Sequence, residues 1–199
     1  MKIFLITIIA LSFLSSCIET VAIGALSTAV VASREKSLKD TKDDTLIEAA
    51  IDLKFVNHGL KKPTDKIGVT VNEQRVLLTG IVDDQSISKI AEKLSWEVDG
   101  VKEVINEIQI IDKKSSGKNF LSYFPDTAIT GQVKSKILFD KNVSYLNISV
   151  TTINRVVYLI GVAENQREIK KALELAAKTS GVKKVVSHLI LKSDKRRKS

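Results

Sequence analysis

The feature that most constrains this chain is that its second half repeats its first at a fixed distance. Gly80-Ile81-Val82 with Gln85 returns as Gly161-Val162-Ala163 with Gln166, and Ala91 returns as Ala172. Gly100-Val101-Lys102-Glu103-Val104-Ile105 returns as Gly181-Val182-Lys183-Lys184-Val185-Val186, and every pair is 81 residues apart. A period this long specifies two globular modules, not a solenoid of short repeats. The polar stretch Asp112 to Asn119 separates them, which places one module over 44–112, a linker over 113–124 and a second module over 125–192. Phe120, Tyr123 and Phe124 end the linker and are expected to pack it against one module.

Both copies carry the same order of elements. Thr45-x-x-Glu48 has the form of a capping box, and Leu46, Ala49, Ala50, Leu53 and Val56 recur at helical spacing, so a helix is expected from Thr45. Gly59 ends it and Pro63 prevents its continuation. Ile67 to Val71 and Arg75 to Val82 read as strands joined by a tight hairpin through Asn72-Glu73-Gln74. Asp83 or Asp84 caps a second helix with Ile87, Ile90, Ala91 and Leu94 in one stripe, Gly100 stops it, and Val101 to Ile111 is the last strand. The second copy reads as Asp126 capping a helix to Phe139, strands Leu146 to Thr151 and Arg155 to Val162, a helix Asn165 to Thr179 and a strand Val182 to Leu191. The order αββαβ, twice, predicts an α+β chain in which two helices cover one face of each three-stranded mixed sheet.

Ahead of the modules the chain begins Met1-Lys2 and runs apolar from Ile3 to Phe13. That is the length of a signal-peptide core and short of the roughly 20 residues a spanning helix needs. Cys17 is the one cysteine, so it has no internal disulfide partner, and no neighbouring His or cation lowers its pKa for nucleophilic work. Leu14-Ser15-Ser16-Cys17 resembles the bacterial lipobox. The resemblance implies a signal peptide over 1–16, diacylglycerol on the Cys17 thiol and acylation of the new amino group. Ile18 is not the Asp that retains lipoproteins at the inner membrane, which favours the outer membrane. Residues 17–43 then form a tether, apolar to Ala32 and charged from Arg34 to Asp44.

Lys and Arg total 31 against 23 Asp and Glu, a net charge of +8. A basic chain takes an anionic partner. For an exported one that partner is anionic lipid, lipopolysaccharide or cell wall, not nucleic acid. The tail 193–199, with Lys195, Arg196, Arg197 and Lys198, is either a solubilising end or a second contact with an anionic bilayer, worth about 1 kcal/mol per charge.

Catalytic and metal constellations are missing from the sequence. His58 decorates a helix end, His188 sits in the last strand, and with Cys17 lipidated no thiol remains for a metal. No phosphate-cradling glycine loop follows a strand. Trp96 reads as a partly buried packing residue. No enzyme activity, cofactor or small-molecule substrate is expected.

Gly-x-Val, a helix with Ala, and Gly-Val-x-x-Val before a terminal strand together resemble the BON domain. Two such modules behind a lipobox resemble the dual-BON outer-membrane lipoproteins, over roughly residues 44 to 192. The resemblance implies residence at the periplasmic face of the outer membrane, binding to anionic phospholipid, enrichment at division sites and support of envelope integrity. It also implies that the first helix of the second module touches lipid. On that stretch Ile129, Val133 and Ile137 should face the sheet, leaving Thr130, Lys134 and Leu138 on another face, with Lys136 and Lys141 near its end. These five, Thr130, Lys134, Lys136, Leu138 and Lys141, are the expected lipid contacts, through lysine stems lying along the apolar layer. Ala128 stands where an aromatic wedge would be expected, and Gly131 weakens the helix by about 1 kcal/mol, which either weakens lipid contact or shifts it toward Leu138, Phe139 and the linker aromatics. The competing reading is a protein-interaction adaptor whose exposed sheet faces bind an envelope protein or a cell-wall enzyme regulator.

Overall fold

A computed structural model of the chain describes residues 38–60, 66–111 and 125–197, and these form one compact unit. Cys17, the signal and tether segments up to residue 37, Pro63 and the linker aromatics lie outside the described residues. The first module comprises α1 (Leu38–Asn57), β1 (Lys66–Asn72), β2 (Arg75–Val82), α2 (Gln85–Trp96) and β3 (Glu103–Ile110). The second comprises α3 (Asp126–Phe139), a 3-10 turn (Tyr145–Asn147), β4 (Ile148–Ile153), β5 (Val156–Ala163), α4 (Gln166–Ala177) and β6 (Lys184–Leu191). In each sheet the middle strand pairs antiparallel with the strand before it and parallel with the strand after the helix. The expected αββαβ order and mixed three-stranded sheets are present in both modules.

Each hairpin turns on two non-glycine residues in the left-handed region. Glu73 and Gln74 have φ of 52° and 63°, and Asn154 and Arg155 have 51° and 63°. Such two-residue turns match the twist of the flanking strands, but side chains other than Gly or Asn resist the conformation. An aspartate from the preceding helix holds each turn. The Asp44 carboxylate accepts from Glu73 N at 2.8 Å and Gln74 N at 2.7 Å. The Asp126 carboxylate accepts from Asn154 N at 2.7 Å and Arg155 N at 2.8 Å. Asp126 is therefore not a helix cap: Pro125 occupies the cap position without a side-chain bond. The capping-box start at Thr45 is likewise overturned, because α1 already begins at Leu38. By contrast, Asp84 and Asn165 do cap α2 and α4 through their side chains.

The same aspartates set which helix face is buried. With Asp44 on the turn, Ile47, Ile51 and Phe55 follow at i+3, i+7 and i+11 and are buried over the sheet. Ile129, Val133 and Ile137 stand in the same relation to Asp126 and are wholly buried. The α1 stripe expected from the sequence is the wrong one, since Leu46, Leu53 and Val56 are exposed. In α2, Ser88, Ala91, Leu94 and Ser95 face inward and Ile90 faces solvent. Gly161 has φ +151°, and a Cβ there would stand 2.1 Å from the Asn147 carbonyl oxygen, so only glycine lets the 3-10 turn close on β5.

The helix-free faces of the two sheets pack on each other. Leu77, Tyr158 and Ile160 are buried in this second interior, with Ile105, Ile153, Val156 and Val186 around them. This overturns the expectation of exposed sheet faces. Equivalent residues of the two copies meet: Thr70 Oγ1 lies 3.4 Å from Thr151 Oγ1, and Glu107 Oε1 lies 2.9 Å from His188 Nε2. Self-equivalent contacts are the mark of an isologous interface, here built within one chain.

Candidate functional site

The expected lipid-contact helix, α3, keeps only part of its polar surface free. The Thr130 hydroxyl donates to Thr152 Oγ1 at 2.8 Å, so it points at β4 and away from solvent. Lys136 Nζ donates to the Lys178 carbonyl at 2.8 Å, across the gap to the end of α4. Lys134, Leu138 and Lys141 are exposed. Leu138 is 54% exposed and Phe139 81%, so the C-terminal turn of α3 presents two adjacent large apolar side chains to solvent. Of the five expected residues, the fold brings Lys134, Leu138 and Lys141 together at this end and ties Thr130 and Lys136 into the module. Phe139 completes the patch.

The surroundings of this patch are basic. Asp140 lies beside it, and its carboxyl is held below the usual range chiefly by the Asn142 backbone N–H, against a smaller opposing effect of burial. Lys171 Nζ stands 3.6 Å from that carboxylate. Glu174 is lowered first by its hydrogen bond from Lys178, at 2.5 Å, and then by Lys171. Both acids therefore stay ionised and matched by lysines at neutral pH, leaving Lys134 and Lys141 to set the sign of the surface. A surface that exposes an aromatic and a leucine beside lysines can rest on anionic headgroups.

Within the C-terminal cluster, Arg196 and Arg197 fold back on the first module. Arg197 makes a bidentate pair with Glu73, Nε to Oε2 at 2.7 Å and Nη2 to Oε1 at 2.8 Å. Arg196 bonds Asp194 and lies 3.5 Å from Glu103. The Asp194 carboxyl is pulled down to about 2, first by the Arg196 side chain and then by its backbone N–H. The buried Arg75 joins Glu103 to the His188 carbonyl. These arginines strap the two modules together. Sequence reasoning missed this because acidic partners so far away in the chain carry no local signal.

On the first module, α1 exposes Leu46, Leu53 and Val56 at 58%, 61% and 58%. Beside it lies an open groove of about 480 Å³ whose lining includes Leu46, Ala50, Val98, Asp43, Glu97 and Asp99. Trp96, expected to be partly buried, is half exposed and directly precedes Glu97 of the groove lining in the chain. The His58 ring sits 2.8 Å from the Lys54 carbonyl at the helix end, as expected. Among the described residues no group of three or more His, Cys, Asp or Glu converges to hold a metal, and no helix is long and apolar enough to cross a membrane.

Comparison with known proteins gives a consistent family. The model of the BON domain matches residues 43–112 and 125–193. A protein of Anaplasma centrale named for the 5′ region of gshII is 35% identical over 156 residues, covering 78% of this chain and 99% of the relative. The outer membrane lipoprotein DolP of Haemophilus influenzae is 31% identical over 87% of this chain and 88% of its own length. Osmotically-inducible protein Y of Escherichia coli is 33% identical over 74% of this chain and 72% of its own.

Proposed function

This chain belongs to the BON-domain family, with two BON modules, and from that premise we propose that it is an exported outer-membrane lipoprotein whose second module binds anionic phospholipid. The observation that carries the reading is the C-terminal turn of α3, where exposed Leu138 and Phe139 stand beside exposed Lys134 and Lys141. The outer-membrane location rests on Leu14-Ser15-Ser16-Cys17 and on similarity to a relative that is itself named an outer membrane lipoprotein. Acyl chains on Cys17 hold the chain at the periplasmic face, and a single weak surface contact then suffices to orient the modules. Support of the envelope, including at division sites, follows as a non-enzymatic role for a chain fixed in this way.

The test is co-sedimentation of residues 35–199 with neutral and with anionic vesicles at low and high salt. At about 1 kcal/mol per juxtamembrane charge, reversing Lys134 and Lys141 to Glu should weaken binding to anionic vesicles by more than tenfold. Leu138→Ser with Phe139→Ser should weaken binding at every salt concentration. Equal binding to neutral and anionic vesicles, or no effect of either pair, would sink the reading. A Cys17→Ser chain should lose membrane association on cell fractionation.

A further inference from the structure

The exposed apolar residues of α1 are not scattered. Leu46, Ala49, Leu53 and Val56 recur at intervals of three, four and three, which places them on one narrow stripe about 15 Å long at 1.5 Å per residue. Single exposed leucines need no explanation, but a continuous stripe on a soluble surface marks a contact. The fold does not demand it. With the two helices aligned on Asp44 and Asp126, the second module has Ala128, Gly131, Ser135 and Leu138 at the same places.

The charge beside the stripe is specific to the first module as well. Leu46, Ala50 and Val98 form an apolar floor, and Asp43, Glu97 and Asp99 form the rim, with Lys54 neutralising Glu97 at 3.2 Å. In the second module the matching positions hold Pro125, Lys178 and Ser180, with Lys178 paired to Glu174, so the acidic rim is present in one copy and absent from the other. On a chain of net charge +8 an acid-rimmed apolar groove is a local inversion. It repels an anionic bilayer, and two such grooves brought face to face would oppose like charges. Spaced apolar anchors with cationic flanks fit it, in the mode by which an amphipathic helix lies in a groove.

We propose that the stripe and groove of α1 are a docking site for a cationic amphipathic helix of a partner protein. The probe is a synthetic 18-residue peptide with Leu at intervals of three and four and Lys elsewhere, compared with the same peptide carrying Glu for Lys. Trp96, the one tryptophan of the chain, sits next to Glu97 and reports binding by fluorescence against residues 35–199. The Leu-Lys peptide should bind saturably, at least tenfold tighter than the Leu-Glu peptide and more weakly at high salt. Leu46→Ser with Leu53→Ser should cost at least tenfold. Glu97→Lys with Asp99→Lys, on a turn outside the core, should do the same and covers the case in which the helix variant melts early. Four results would overturn the proposal: no saturable binding, equal affinity for both peptides, an effect of neither pair, or vesicle binding that depends on Leu46 and Leu53. Self-association of the chain abolished by Leu46→Ser with Leu53→Ser would also overturn it, by making a second copy the occupant.

Discussion

The two first helices, α1 and α3, lie at the same place over equivalent sheets and bury equivalent residues, yet they turn opposite surfaces to solvent. Ile47, Ile51 and Phe55 in one match Ile129, Val133 and Ile137 in the other, and both helices are aimed by an aspartate bound to the hairpin turn. Outside that face the copies have diverged. α1 carries an apolar stripe beside an acidic rim, whereas α3 carries small residues that give way to Leu138 and Phe139 among lysines. The inward face is fixed by packing, where a lost methylene costs about 1 kcal/mol. The outward face is free to change sign without cost to the fold, which is where two copies of one module can acquire two partners.

Four experiments test whether the two copies are equivalent inside and divergent outside. The largest effect is expected from Gly161→Ala, which forces a Cβ into the Asn147 carbonyl and should destabilise the second module by on the order of 3 kcal/mol. A cost below 1 kcal/mol in chemical denaturation would show that the 3-10 turn yields. Next come Asp44→Ala and Asp126→Ala. Each strands two turn N–H groups at positive φ and should cost about 2 kcal/mol; a large difference between them would deny that the two clamps are equivalent.

Gly131→Ala, with open space around its Cβ, should stabilise α3 by up to about 1 kcal/mol, because the matching Ala49 is already tolerated in α1. An unchanged or lower melting temperature would argue against the alignment of the helices. The smallest effect concerns the arginine strap. Asp194 has its pKa depressed from 3.8 to about 2, so its contribution is fully present above its unfolded value and is lost as pH falls through about 2. Amide hydrogen exchange at Arg196 and Arg197, taken relative to the intrinsic chemical rate at each pH, should remain unchanged from pH 6 to pH 4 and rise only below that. A rise near pH 5 would assign the strap to another group.

How much was legible follows from what each signal depends on. The spacing of Gly80 and Gly161, and of Gly100 and Gly181, revealed the duplication because left-handed φ positions admit few alternatives to glycine. The buried face of α1 was misread because the sequence holds two interleaved apolar stripes, and periodicity cannot choose between them. Aligning the copies on Asp44 and Asp126 would have chosen correctly, since only Ile47, Ile51 and Phe55 have apolar counterparts throughout. The near-continuous apolar runs of β2 and β5 did hint that both faces of each sheet are covered. At the lipid-contact candidate, exposure of Lys134 and Leu138 followed from helix geometry, and Lys141 stands in the turn just past the helix. The diversion of Thr130 and Lys136 into the module depended on where β4 and the end of α4 happen to stand.

The two modules, their element order, their BON character and the basic balance of the chain are all local patterns or sums over residues, and each can be read along the chain. Tertiary structure alone decided that the sheets face each other, that the tail arginines clasp Glu73 and Glu103, and that α1 rather than α3 carries the longer exposed apolar stripe. The physical reason is the same in each case. Burial and ion pairing are properties of surfaces brought together in space, and residues far apart in the chain carry no record of which surfaces will meet.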